Sequence, residues 1–130
     1  MFLSLSFSSI FSAELIPSKE IKLKKDQEQK VIVKYDGREK VFIFRWTLYK
    51  NNGLVLFRSY DKIVAQNILY LRKTSRSFRV ELKPRGLNFY DKPYLLVIFK
   101  DFDFETREAK FELLLSDDTK QIVLDYGEKE

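Results

Sequence analysis

From about residue 19 onward, apolar and polar positions alternate in short runs, and each run ends in a turn signal. A period of two places successive side chains on opposite faces of a strand. Ile21 and Leu23 alternate with Lys22 and Lys24, and Val31, Val33 and Tyr35 face away from Lys30 and Lys34. The Asp36-Gly37 pair that follows is a hairpin signal, because both turn positions must accept a left-handed backbone. Residues 40–50, K-V-F-I-F-R-W-T-L-Y-K, form the longest predicted strand. Its alternation puts Phe42, Phe44, Trp46 and Leu48 on one face, and Val41, Ile43, Arg45, Thr47 and Tyr49 on the other.

N-N-G at 51–53 then turns the chain into a strand over 54–60. The stretch 61–70 fits an edge strand with a bend or one turn of helix. Residues 77–83 direct Phe78, Val80 and Leu82 inward and Arg79, Glu81 and Lys83 outward. Residues 94–100 are nearly continuous apolar, which predicts a central strand buried on both faces. A turn near 103–107 returns Ala109, Phe111, Leu113 and Leu115, and residues 121–126 read as a last strand. About eight or nine strands at this spacing predict an all-β, antiparallel two-sheet sandwich.

Length and composition agree. A chain of 130 residues with 45% hydrophobic residues, 12 Phe and 7 Tyr has material for one core and no more. The expected organisation is a leading segment over 1–19, a sandwich over 20–126 and a short tail over 127–130.

The spacing of Val33, Trp46 and Val97 is similar to the Cys–Trp–Cys spacing of variable-type immunoglobulin domains. The strand F-R-V-E-L, the crossing that contains Asp91, and Tyr94 ahead of the next strand also resemble that family. The resemblance implies an immunoglobulin-like sandwich over about residues 20–116, with Val at both cysteine positions. It would place Val33, Trp46, Val97 and Tyr94 in the structural core. Architecture alone does not confer function.

Two absences narrow the chemistry. Without Cys there is no disulfide, thiolate nucleophile, iron–sulfur cluster or lipoprotein anchor, and without His there is no Ser-His-Asp triad or imidazole metal site. The four glycines are isolated, so no phosphate-cradling loop is present. No cofactor and no metal are expected, and the chain is read as a non-enzyme. D-F-D-F-E at 101–105 aligns Asp101, Asp103 and Glu105 if the strand runs straight, with Asp117 and Asp118 near by, but the spacing is not that of a calcium loop. These acids read as a charged hairpin end.

Charge is unevenly distributed. Residues 1–100 carry 20 Lys/Arg and 9 Asp/Glu, whereas residues 101–130 carry 4 and 10. The basic excess is densest over 71–85, where Arg72, Lys73, Arg76, Arg79, Lys83 and Arg85 form the expected binding surface. Arg45 and Arg58, beside Tyr49 and Tyr60, could extend it. Such a surface suits a protein partner or an anionic envelope component, and cations interleaved with rings also suit single-stranded nucleic acid.

The compartment turns on the N-terminus. Residues 3–8, L-S-L-S-F-S, alternate like a strand, yet residues 2–13 have the length of a secretory h-region and are too short to span a bilayer. The runs after residue 20 already suffice to close a sandwich. The segment therefore reads as an export signal, with a first strand and an interfacial anchor as the alternatives, and the protein as a periplasmic or cell-surface binding or assembly module. A cytoplasmic domain that binds single-stranded nucleic acid is the alternative.

Overall fold

The computed structural model describes residues 15–72, 75–83, 93–117 and 121–127, with side chains from Lys19 onward. Nine strands form among them: β1 (Leu15–Lys24), β2 (Gln29–Tyr35), β3 (Arg38–Lys50), β4 (Gly53–Tyr60), β5 (Ile63–Tyr70), β6 (Ser77–Glu81), β7 (Tyr94–Asp103), β8 (Glu108–Ser116) and β9 (Val123–Asp125). They make two antiparallel sheets, one of four strands in the order β1-β8-β7-β6 and one of five in the order β5-β4-β3-β2-β9. The all-β two-sheet sandwich expected from the alternation is the observed architecture. β1 opens at Leu15, inside the segment expected to precede the domain; residues 1–14 and 128–130 lie outside the described residues.

Turn chemistry explains the five-stranded sheet. β2, β3, β4 and β5 are joined by three two-residue turns, and all six turn residues have positive φ: Asp36-Gly37, Asn51-Asn52 and Asp61-Lys62. That backbone matches the right-handed twist of the flanking strands. The third turn carries no glycine, which is why residues 61–70 read ambiguously; the segment is a strand, paired with β4 from Tyr60↔Ile63 to Gly53↔Tyr70. Asp61 is held in this turn by its N–H, which donates to Val41 O at 3.1 Å, and by the Lys40 ammonium 3.3 Å from its carboxylate.

Two β-bulges re-aim side chains that strict alternation assigns elsewhere. One falls between Trp46 and Leu48, so Leu48 turns outward and Tyr49 inward, where its ring stacks on Phe102 at 4.2 Å. The other falls between Phe99 and Asp101 and lets both Phe99 and Phe102 reach the core. A bulge inserts one residue, and every later side chain changes face. β7 is central in its sheet, but only one face of it is buried: Leu96 and Ile98 are half-exposed.

The core is rich in aromatic rings from facing sheets. Phe44 meets Phe111 edge-on at 5.3 Å, Trp46 meets Phe102 at 5.5 Å, and Phe42 approaches Phe78 at 6.4 Å. Two polar ties cross the interlayer. Trp46 Nε1–H donates to Leu23 O of β1 at 2.8 Å in a buried position, and Tyr60 Oη–H donates to Leu82 O just beyond β6 at 2.7 Å.

Val33, Trp46 and Val97 are buried, with the two valines on opposite sheets as the resemblance implies. Tyr94 departs from that expectation. It stands half-exposed on the outer face of the four-stranded sheet, because Leu95, Val97 and Phe99 take the inward positions of β7. The connectivity differs as well: β2 and β3 form a hairpin within one sheet, whereas an immunoglobulin sandwich places its second and third strands in different sheets.

Trp46→Phe leaves the buried Leu23 carbonyl without its donor and opens a small void. It should cost about 2 to 4 kcal/mol in urea unfolding followed by circular dichroism. Tyr60→Phe should cost about 1 kcal/mol through loss of the bond to Leu82. Burial raises the Tyr60 phenol above its ordinary value, so its contribution is complete below about pH 10 and is lost as pH rises toward the folded value. Wild type should therefore lose stability above pH 10 more steeply than Tyr60→Phe does.

Candidate functional site

The outward faces of the two sheets differ in kind. On the four-stranded sheet, cross-strand charges pair: Lys110 lies 3.7 Å from Glu20, and Lys100 lies 3.4 Å from Glu112. Glu112 of the acidic C-terminal third is thus answered by a lysine of the neighbouring strand.

The five-stranded sheet also pairs charges on its outer side, Lys34 with Glu39 at 3.9 Å and with Asp125 at 3.6 Å, but over β3, β4 and β5 it presents mainly apolar side chains. Its strand pairings place Val64 and Ile68 of β5, Val55 and Phe57 of β4, and Val41 and Ile43 of β3 on the side away from the core. Leu48 joins them through the bulge, and Ile32 and Val123 continue the surface across β2 and β9. Val64 is 71% exposed and Leu48 48%. At strand spacings of about 4.8 Å this surface is on the order of 400 Å², within the range where exposed apolar patches on monomers are commonly functional. A shallow depression of about 200 Å³ at its centre is lined by Ile43, Arg45, Phe57, Ser59 and Val64, among others. Arg45 crosses the patch with its guanidinium 5.6 Å from the Phe57 ring centroid and 3.2 Å from Asp26 Oδ1. Exposed Lys30 and Lys50 stand on the same face at its margins.

The basic residues expected to form one surface are spread over several. Arg72 is exposed in the turn after β5. Arg76 lies just before β6, where its carbonyl accepts from Phe99 N–H at 2.8 Å. Arg79 is on the outer face of the four-stranded sheet, stacked 3.9 Å from the Tyr94 ring centroid. Lys83 turns toward the β2–β3 hairpin, 3.9 Å from Asp36 and 5.2 Å from the Tyr35 ring centroid. Lys73 and Arg85 lie outside the described residues. Arg45 and Arg58 sit on adjacent strands but on opposite faces. Arg58 points between the sheets, 4.6 Å from the Phe78 ring centroid, and its Nε–H donates to Asn67 Oδ1 at 2.7 Å.

The acidic hairpin is occupied locally. Asp101 is opposite Lys110, and the Asp103 carboxylate accepts from the Glu105 and Thr106 N–H groups at 2.9 and 3.3 Å, which hold it below the usual carboxylate range. Asp117 is buried and accepts from Ile122 N–H at 2.8 Å, while Asp118 lies outside the described residues. Among the described residues no group of three or more acids is placed to hold a metal ion, and no helix is long and apolar enough to cross a membrane.

The apolar outer face did have a signature in the sequence. In β3 and β4 both alternating sets are largely apolar, with Val41 and Ile43 opposite Phe42 and Phe44, and Val55 and Phe57 opposite Leu54 and Leu56. Comparison with family models, curated proteins and solved structures finds no match for the chain.

Proposed function

We propose that this chain is a non-catalytic, exported protein-binding module that meets its partner with the outer face of the five-stranded sheet. The apolar continuity of that face carries the reading: water leaves it favourably only when another apolar surface covers it. Exposed Lys30 and Lys50 at the margins of that face suit a partner whose apolar patch is edged by acids. Export is supported by the h-region-like composition of residues 2–13. Single-strand binding, the alternative, calls for cations and rings on one surface. Arg79 and Lys83 diverge, and the rings beside them are already engaged.

Site-specific photocrosslinking in cells tests this reading. A photoreactive residue in place of Phe57 should give a discrete adduct whose added mass is not that of a second 15.6 kDa chain. The same residue in place of Glu112, on the opposite face, should not. Equal adducts from both positions, or none from position 57, would overturn the assignment of the face. An adduct found in the cytosol on fractionation would overturn export.

A further inference from the structure

Each sheet ends in two edge strands, and three of the four edges are guarded. β1 carries Pro17 and three lysines, β6 is five residues long with Arg79 and Glu81, and β9 has three residues. Proline, charge and shortness are the usual devices against edge-to-edge pairing. β5 has none of them. It runs for eight residues, I-V-A-Q-N-I-L-Y, and is the one described strand without a charged side chain. Ile63, Val64 and Ile68 are 75%, 71% and 46% exposed.

The free side of this edge follows from the turn. A two-residue hairpin closes on a hydrogen-bonded pair, here Tyr60 and Ile63. Ile63, Ala65, Asn67 and Leu69 therefore direct their backbone groups toward β4, and Val64, Gln66 and Ile68 direct theirs outward. Tyr70 continues that parity, and its N–H is taken by Ser75 O at 3.0 Å, which ends the open stretch.

We infer that a second copy of this chain pairs with the β5 edge, antiparallel and two-fold symmetric about Gln66. In that register the three outward residues meet one another: Gln66 faces Gln66 of the copy, and Val64 faces Ile68. Shifting the pairing by two residues either way sets Val64 against Tyr70, whose N–H is engaged, or Ile68 against the Lys62 turn. Charge selects the occupant. A neutral edge accepts a neutral strand, and every other described strand of this chain is charged. The paired sheets make ten strands, and Val64 and Ile68 join the two apolar outer faces into one. An edge contact of this length falls well short of the roughly 800 Å² per partner of a standard interface, so the dimer is reversible, with dissociation in the micromolar range. The inference stands on the edge, not on the outer face, and the mass criterion above separates the two.

Sedimentation velocity of the full chain over about 1 to 300 µM should show the 15.6 kDa species giving way to one of twice that mass. Gln66→Lys sets two ammonium groups opposite each other and should weaken association at least tenfold, as should Gln66→Glu alone; mixing the two variants should restore it. Gln66→Pro removes an outward N–H without touching the β4 ladder and should leave a folded monomer. Wild type that stays monomeric throughout, or a Gln66→Lys dimer of unchanged affinity, would overturn the inference. So would a dimer that persists in Gln66→Lys but is lost when residues 1–13 are deleted, since that would place the contact in the N-terminal segment.

Discussion

Trp46 ties the two sheets together where the chain first crosses between them. Its indole N–H reaches Leu23 O on the four-stranded sheet, and its own carbonyl, on the β2 side of β3 just past the Gln29–Phe44 pair, accepts from Asp26 N–H at 2.8 Å. Arg45 adds an ion pair to the same Asp26. The start of the β1–β2 connection, at Leu23 and Asp26, is thus held by Arg45 and Trp46 of β3. Without a disulfide, the relative setting of the layers depends on this tie, on Tyr60 and Leu82 at the far edge, and on the aromatic contacts between them. Once that setting is fixed, so is the choice of which apolar side chains are covered and which face water.

That choice is unequal for the two sheets. The four-stranded sheet turns paired lysines and glutamates outward beside the half-exposed Leu96, Ile98 and Leu114, and those charges solvate it. The five-stranded sheet turns Val, Ile, Leu and Phe outward, and of these Leu48, Val64, Ile68 and Val123 are exposed to water. Apolar residues on both faces of β3 and β4 exceed what one core requires, and the proposed interface would give the outer set a use.

Strand alternation carried most of the architecture on its own. Runs such as Ile21-Leu23, Phe78-Val80-Leu82 and Ala109-Phe111-Leu113 are polar on the other side, so their facing could be read directly, and all are buried. Three kinds of information were not local. The bulges at Leu48 and Asp101 depend on partner strands, and they moved Leu48, Tyr49 and Phe102 relative to strict alternation. The Asp61-Lys62 turn adopts a glycine-like backbone because β3 holds it, not because of its own residue types. The basic residues of 71–85 are neighbours in sequence only, since Arg79 and Lys83 leave the strand end toward different layers. Where both alternating sets were apolar, as in β3, periodicity could not say which face was the outer one.

The same turn has a dynamic consequence. Asp61 and Lys62 both carry side chains in the left-handed region, at a cost of about 1 kcal/mol each. β5 contributes one fully buried side chain, Leu69, to the core. Lifting β5 away removes only that side chain from the core and relieves backbone strain, though it costs the β4–β5 ladder, and this makes it a sub-global opening. A strand that leaves its own sheet this easily can be replaced by the same strand from another molecule. In the dimer inferred above, the Asp61-Lys62 turn would be the hinge of such an exchange.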